Sequence, residues 1–345
     1  MKTSIRFGLA GTGVGAEFVA KAYEMIEKDG RAQLVTVFGV PSQLASDFAS
    51  RYGIPSWYDD YDRMIETQDI DAIVISTPHF LHYQMAIKAM QRGIHVLVDK
   101  PISIALREAD EMIAFAQKRG LKLGVNFQNR FDDSAIRVKR AAENGRMGKL
   151  LLGAAQIHWY RDQEYYDKSE WRGKWATEGG GVLINQGIHT IDLLAWIMGP
   201  LDEIWGRINT LAHKIEVEDL AVGCLRFRNG ALGVIQASTA TYPGFPTALE
   251  IYGTDGCAKI EGASLKYLML DRKEEPVQQK ESELASWARP EAVPALNHSR
   301  VLKDFFSAIL EDRKPMIDGV EGRKSLEIIT SIYESSKTGE SISVA

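Results

Sequence analysis

A chain of 345 residues is too long for one ordinary core, and with 45% apolar residues it has the material for two. Its net charge of -5 gives no basic field, which leaves nucleic acid and anionic membrane without electrostatic support and points to a small-molecule partner. Cys224 and Cys257 are too few for a disulfide framework or a thiolate metal cluster, and no apolar run reaches bilayer length, so a soluble protein of the reducing cytoplasm is expected.

The chain opens on "SIRFGLA", a strand, followed by "GTGVGA" and a helix from about Val14. Lys2 and Arg6 beside a small apolar stretch imitate a secretory signal, but cleavage there would delete the first strand. The glycines fit G-x-G-x-x-G/A at the place its mechanism requires, after a strand and opening a helix. Gly11 allows a tight turn, Gly13 lets a pyrophosphate approach the backbone, and Ala16 keeps the helix close to the strand. Gly11, Thr12, Gly13, Val14, Gly15 and Ala16 are therefore expected to hold a dinucleotide, NAD or NADP. The next strand, "AQLVTVF", runs into Gly39 where such sites usually carry an acidic residue for the ribose hydroxyls. Gly39, Ser42 and Gln43 lie near the expected ribose. The missing carboxylate removes repulsion against a 2′-phosphate, while no arginine is present to bind one; the choice stays open, with a slight balance toward NADP.

A helix from about Ser42, the strand "DAIVIST", a helix around "YQMAIKAMQRG", the strand "IHVLVD", a helix around "LREADEMIAFAQKRG" and the strand "KLGVNF" continue the alternation. Strands this uniformly apolar are buried on both faces, and alternation with helices makes the sheet parallel, so residues 1–124 form a doubly wound α/β domain of Rossmann type. Thr77-Pro78 and Asp99-Lys100-Pro101 fall at the ends of consecutive strands on the cofactor edge. His79 and His82 stand three residues apart, but no further ligands complete a cluster and no metal is expected.

Beyond Gly124 the pattern changes. A helix ("SAIRVKRAAENG") and a strand ("LLGAAQIHWY") lead into a polar aromatic loop, a helix ("GIHTIDLLAW") and several extended runs joined by turns such as "RNGA" and "YGTDGCA". Residues 125–345 are read as an α/β substrate-binding and oligomerisation domain with an open, mainly antiparallel sheet, its last helix free to pack back on the first domain. Arg272 to Pro294 reads as an exposed, irregular excursion.

Together, the glycine loop, Thr77-Pro78, Asp99-Lys100-Pro101, "GGGVLINQGIHTIDLLAW" and the closing helical stretch resemble the Gfo/Idh/MocA family (glucose-fructose oxidoreductase, inositol dehydrogenase, rhizopine catabolism). The resemblance implies an NAD(P)-dependent oxidoreductase of sugars, sugar derivatives or cyclitols. It implies that Lys100 stands beside the nicotinamide and hydrogen-bonds the reacting oxygen, with His189 as general acid/base and Asn185 where the family often has aspartate. Asp99 occupies a position where glutamate is more common. Thr77, Pro78, His82, Asp99, Lys100 and Pro101 are carried over as cofactor-binding, and the uncovered sheet face implies a homo-oligomer, dimer or tetramer.

The chemistry is also legible without the family. Oxidising a secondary carbinol needs a base for the hydroxyl proton, and an imidazole with a pKa near ~6.5 suits neutral pH. A cation such as Lys100 would stabilise the developing alkoxide. Asn185, His189 and Asp192, four and three residues apart, would share a helix face, letting Asn185 or Asp192 orient the ring. In the preceding loop, Tyr160, Arg161, Trp171 and Arg172 offer aromatic faces and guanidinium groups to a polyhydroxylated ring or to a carboxylate or phosphate on it, with Asn185 and Asp192 as further substrate contacts. Against this stand plainer readings: a packed helix histidine, a solvated lysine at a strand end, a non-catalytic dinucleotide- or sugar-binding sensor. An NAD-retaining glycosidase acting through transient oxidation is the rival within enzymes.

Overall fold

The computed structural model describes residues 3–277 and 295–344, which divide into two compact units: 3–128 with 295–323, and 129–277 with 324–344. In the first unit, strands β1 (Ile5–Ala10), β2 (Ala32–Phe38), β3 (Ser56–Tyr58), β4 (Ala72–Ile75), β5 (His95–Asp99) and β6 (Leu123–Asn126) pair in the order β3-β2-β1-β4-β5-β6. Every pairing is parallel. Apolar side chains on both faces drive this: β4 is buried at every residue. The crossovers carry α1 (Val14–Glu24), α2 (Ser42–Tyr52), α3 (Tyr61–Thr67), α4 (His82–Gln91) and α5 (Leu106–Arg119). The strand order reverses between β1 and β4, so their carboxyl ends open the crevice where sheets of this kind bind ligands.

The sequence reading missed β3 and α3. It divided the chain at Gly124 with the last helix free to pack back on the first domain; α10 (Leu296–Leu310) belongs to the first unit, where Phe306 lies 4.8 Å from Phe7 of β1.

In the second unit, α6 (Asp133–Glu143) precedes β7 (Leu150–His158), and the aromatic loop contains two short helices, α7 (Gln163–Asp167) and α8 (Trp175–Glu178). A π-helical turn (Leu183–Gly187) then runs straight into α9 (Ile188–Met198). The sheet is built from β7, β8 (Leu201–Asn209), β9 (Leu220–Phe227), β10 (Leu232–Ser238), β11 (Ala248–Gly253), β12 (Cys257–Glu261), β13 (Ser264–Leu270), β14 (Lys273–Glu274) and β15 (Ile342–Ser343). It is antiparallel except where β10 runs parallel to β7. Asn229-Gly230 turns the β9–β10 hairpin, with Gly230 at φ 85°, as "RNGA" predicts. Leu194 and Met198 of α9 press on Gly153 of β7, and Ile332 of α11 (Gly319–Thr338) on Gly206 and Gly223, so helices cover one face. Side chains such as Leu152, Trp205, Val222, Leu232 and Tyr252 are exposed. Of the expected excursion, Lys273–Glu274 form β14, and 278–294 lie outside the described residues.

Candidate functional site

In the first unit the glycine loop has the form its sequence predicts. The Gly11 amide donates to the Phe38 carbonyl at 2.8 Å, and Gly11 sits at φ +120°, where an added Cβ would lie 2.3 Å from the Ser76 carbonyl oxygen. Only glycine fits that turn. Gly13 is the N-cap of α1, in extended conformation without a side-chain cap, and a Cβ there would meet no atom within 4 Å. Gly13 and Val14 are exposed, so the unbonded first-turn amides of an 11-residue helix face outward. That is the open, positive cradle a pyrophosphate needs, and these residues fit a dinucleotide.

Close packing is shared more widely than expected. Ala16 is fully buried, yet Gly15 makes the tightest approach: a Cβ there would lie 2.2 Å from Ser76 Oγ and 2.9 Å from Asp99 Oδ2. Gly39 has a steric reason besides cofactor choice, since a Cβ would lie 2.5 Å from the Thr12 methyl. Ser42 opens α2, following the Val40-Pro41 peptide, which is cis.

At the neighbouring strand ends, Asp99 is turned into the protein. Its Oδ1 accepts from the Lys100 amide at 2.9 Å and its Oδ2 from Ser76 Oγ at 3.2 Å. Asn126 reaches Asp99 Oδ1 at 3.5 Å and His298 Nδ1 at 3.1 Å. The His298 ring stacks on Phe18 at 5.1 Å, and burial pushes its pKa down to about 4. Lys100 is half-buried, and its peptide with Pro101 is cis.

His82, expected to touch the cofactor, does something else. It is 1% exposed, with Nδ1 2.8 Å from the Pro101 carbonyl and Nε2 2.9 Å from the Thr77 carbonyl. Both ring nitrogens lie against backbone carbonyls, and a neutral ring donates its one N–H to one of them. Burial pushes the ring's pKa down, while the Pro101 carbonyl, the nearby Asp99 charge and the Thr77 carbonyl oppose the shift.

In the second unit, Asn185 lies inside the π turn and His189 in the first turn of α9. The i→i+5 bond that defines the turn runs from the Gly187 amide to the Val182 carbonyl at 2.7 Å. Asn185 therefore departs from the simple helical spacing read from sequence. Its Nδ2 donates to Glu178 Oε1 at 2.5 Å, and the other Glu178 oxygen accepts from the Gly173 amide at 2.5 Å. Glu178 is 1% exposed and ties the aromatic loop to the π turn. Glu178 stands directly before the glycine run, and the sequence reading did not single it out.

The glycines after it are explained by Glu218 and Tyr333. A Cβ on Gly181 would lie 1.9 Å from the Glu218 carbonyl oxygen, and one on Gly180, at φ +154°, 2.0 Å from the Tyr333 hydroxyl. The buried Glu218 carboxylate accepts from Gly181 N at 2.8 Å, Leu183 N at 3.0 Å and the Tyr333 hydroxyl at 2.9 Å. It anchors the entry to the π turn. Burial raises its pKa to about 7, against the pull of those donors.

Asp192 corrects an expectation. It is 1% exposed, and Arg130 Nε and Nη2 donate to its two oxygens at 2.7 and 2.8 Å, with Ser325 Oγ adding a bond of 2.7 Å. A carboxylate enclosed this way neither orients His189 nor meets substrate; with Arg130, itself 2% exposed, it fixes α9 in the core.

The aromatic loop forms a cationic cage. The Arg161 guanidinium lies over Trp159 (5.0 Å) and Tyr165 (5.4 Å), and that of Arg172 over Tyr165 (4.6 Å) and Trp171 (4.9 Å). Gln186 of the π turn donates to the Tyr165 hydroxyl at 3.2 Å. His213 braces the backbone, with Nδ1 2.9 Å from Asp219 and Nε2 2.8 Å from the Arg161 carbonyl. Tyr160 stands apart, edge-on to Tyr242 at 5.2 Å. Trp159 and Gln186 are parts of the arrangement that spacing alone did not single out.

Among known proteins, residues 5–127 match the model of an oxidoreductase family with NAD-binding Rossmann fold, and residues 135–259 match the GFO/IDH/MocA C-terminal domain. The WlbA dehydrogenase from Bordetella pertussis, solved in complex with NADH and UDP-GlcNAcA, is 31% identical and superimposes with a TM-score of 0.86, covering 99% of each chain. The myo-inositol 2-dehydrogenase of Thermotoga maritima is 28% identical over 73% of this chain and 74% of its own. The 1,5-anhydro-D-fructose reductase of Ensifer adhaerens is 25% identical over 98% of both.

Proposed function

The chain belongs to the GFO/IDH/MocA family of oxidoreductases, with an NAD-binding Rossmann fold, and from that premise we propose that it moves a hydride between a nicotinamide cofactor and a secondary carbinol or ketone of a sugar derivative bearing an anionic group. The observation that carries this reading is the cage of Arg161 and Arg172 over Trp159, Tyr165 and Trp171, bonded through Tyr165 to the turn that carries Asn185 and leads into His189. The buried Arg161 guanidinium already donates through Nη1 to the Tyr160 carbonyl at 2.8 Å, and with the half-buried Arg172 it gives the cage a positive charge that favours a carboxylate or phosphate, while the rings suit the apolar face of a sugar. The UDP-GlcNAcA in the WlbA complex is a ligand of this chemistry. Sugar nucleotides with acidic sugars therefore head the substrate list, ahead of neutral sugars and cyclitols.

In this reading the glycine loop and α1 amides hold the pyrophosphate, with Gly39 and Ser42 near the ribose. Nicotinamide, when bound, supplies the hydride acceptor. His189 removes the hydroxyl proton and returns it in the reverse direction, and Asn185, held by Glu178, aligns the reacting group. Lys100 places positive charge at the same oxygen and steadies the alkoxide as the proton leaves. Either NAD or NADP is accommodated at Gly39, with a slight balance toward NADP. The exposed face of the second sheet packs against a second copy, giving a dimer or tetramer.

The test is turnover of purified protein with each cofactor against UDP-sugars with and without a carboxylate, free sugar acids, sugars and cyclitols, followed by the absorbance of reduced nicotinamide. Oxidation confined to anionic substrates is expected, with kcat/KM rising through a histidine pKa that disappears in His189→Asn. Equal use of neutral and anionic sugars would overturn the anionic assignment. A pH step that survives in His189→Asn would overturn the proton's.

A further inference from the structure

Glu178 closes α8 and is 1% exposed, so its two oxygens have to be matched by donors inside the protein. One partner cannot change character. Oε2 accepts from the Gly173 amide at 2.5 Å, and Gly173, next to Arg172 of the cage, is held at φ +74° with Ile215 packed 2.8 Å from where a Cβ would stand. The other partner can. Oε1 faces the side-chain amide of Asn185 at 2.5 Å, and a primary amide can present either its nitrogen or its oxygen. A carboxylate only accepts, so an ionised Glu178 draws Nδ2 toward itself and turns Oδ1, the other branch of the planar amide, away. A carboxyl that kept its proton would do the opposite.

We propose that Glu178 is a positioning residue that fixes the polarity of Asn185: as a carboxylate it holds the amide nitrogen, so that the carbonyl oxygen is the end offered to substrate, an acceptor for a sugar hydroxyl. This rests on the reading in which Asn185 aligns the reacting group. The two side chains form one unit with a set order of acceptor and donor, and that order can be reversed. In Glu178→Gln the side-chain carbonyl is committed to the Gly173 amide, so the new amide nitrogen faces Asn185. The Asn185 amide must then turn over and offer N–H to substrate. In Asn185→Asp two carboxylates face each other. Glu178→Gln combined with Asn185→Asp puts the donor at position 178 and the acceptor at 185, and the second carboxylate oxygen at 185 again offers an acceptor to substrate.

The two single variants and the double variant are compared in kcat and KM for UDP-GlcNAcA, or the member of the panel above with the highest kcat/KM, in the NADH dissociation constant by calorimetry and in thermal unfolding. Asn185→Ala tests the underlying reading. Each single substitution should lower kcat at least about tenfold, the scale of one mispaired hydrogen bond in a buried site, with the NADH dissociation constant within about twofold of wild type. The double variant should recover most of that kcat, and most of the melting temperature that Asn185→Asp loses. Losses that add in the double variant overturn the proposal. So does a Glu178→Gln variant indistinguishable from wild type, which would mean that the native carboxyl already donates to Asn185. Full activity in Asn185→Ala, with the melting temperature still rescued in the double variant, would keep the bond but overturn the role of Asn185 in the reaction and this inference with it. A further readout needs neither turnover nor a folded variant at position 178. In wild-type protein labelled with 15N-asparagine, the Asn185 side-chain amide, recognised by its absence from Asn185→Ala, should have one proton well downfield of ordinary asparagine amides and slow to exchange with solvent. An ordinary, fast-exchanging signal overturns the bond.

Discussion

Replacing Gly13 by valine should weaken NADH binding by roughly 100-fold while the protein stays folded. The structure sets both halves of that expectation. Gly13 has φ -84° and ψ -169°, a region open to valine, and a Cβ there would meet no protein atom within 4 Å. Loss of glycine at an N-cap costs about 1 kcal/mol, too little to unfold a two-unit protein. The branched side chain would instead occupy the space over the first-turn amides. Hydrogen bonds to a charged group are worth about 1.5–3 kcal/mol each, so losing one or two removes on the order of 3 kcal/mol, about two decades in the dissociation constant.

Gly11→Ala supplies the contrast. With φ +120° and a Cβ 2.3 Å from the Ser76 carbonyl oxygen, it should lower the melting temperature, because backbone itself must move. Calorimetric titration with NADH and thermal unfolding of both variants separate the two effects. A folded Gly13→Val that binds NADH with unchanged affinity would refute the assignment of the pyrophosphate to this loop.

Gly39→Asp should penalise NADP more than NAD, but its Cβ also crowds the Thr12 methyl, so Gly39→Ala is the needed control: alanine should shift both dissociation constants alike, and aspartate should add a further tenfold or so against NADP alone. Equal shifts in the aspartate variant would mean that the 2′ position lies elsewhere. Arg130→Met leaves Asp192 buried without its cation and should cost about 3–5 kcal/mol in urea unfolding, most of it recovered in Arg130→Met/Asp192→Leu; a double variant no better than the single would show that the pair is not the unit lost. Glu218 has a folded pKa of about 7 against ~4.3 unfolded, so the folded state holds its proton more tightly and stability falls as pH rises across that window, by on the order of 4 kcal/mol at most. Glu218→Gln should therefore gain on the wild type between pH 5 and 8, and a stability gap flat in pH would contradict the raised pKa. Leu232→Glu, on the exposed face of β10, should turn an oligomer into a monomer by sedimentation without loss of melting temperature; an unchanged assembly would place the interface elsewhere.

What sequence could show was set by the range of the interactions involved. The alternation of β1, α1 and β2 was legible because each element declares itself within a few residues, and the glycine loop because its turn, N-cap and helix are contiguous. β3 and α3, three and seven residues long, are too short for any period to emerge. The placement of α10 with the first unit depends on Phe306 meeting Phe7, a contact across nearly the whole chain. Composition gave an aromatic, arginine-rich loop, but which arginine stacks on which ring followed only once β7, the two short helices and the π turn were in place.

Asp192 shows why helical spacing misleads at a site. Three residues from His189, it satisfies the rule for neighbours on one face, yet its partners are Arg130, sixty-two positions earlier, and Ser325, 133 later. His82 makes the same point with backbone: a histidine beside Thr77-Pro78 invites a ligand, and the structure sets both its nitrogens against carbonyls that no motif records. Polar side chains near a proposed reaction centre thus include some whose bonds serve the protein's own frame. Buried carboxylates that accept three hydrogen bonds each, such as Asp192 and Glu218, hold the frame. The proposed chemistry falls instead to Lys100, half-buried just after β5, and to His189, half-buried in the first turn of α9.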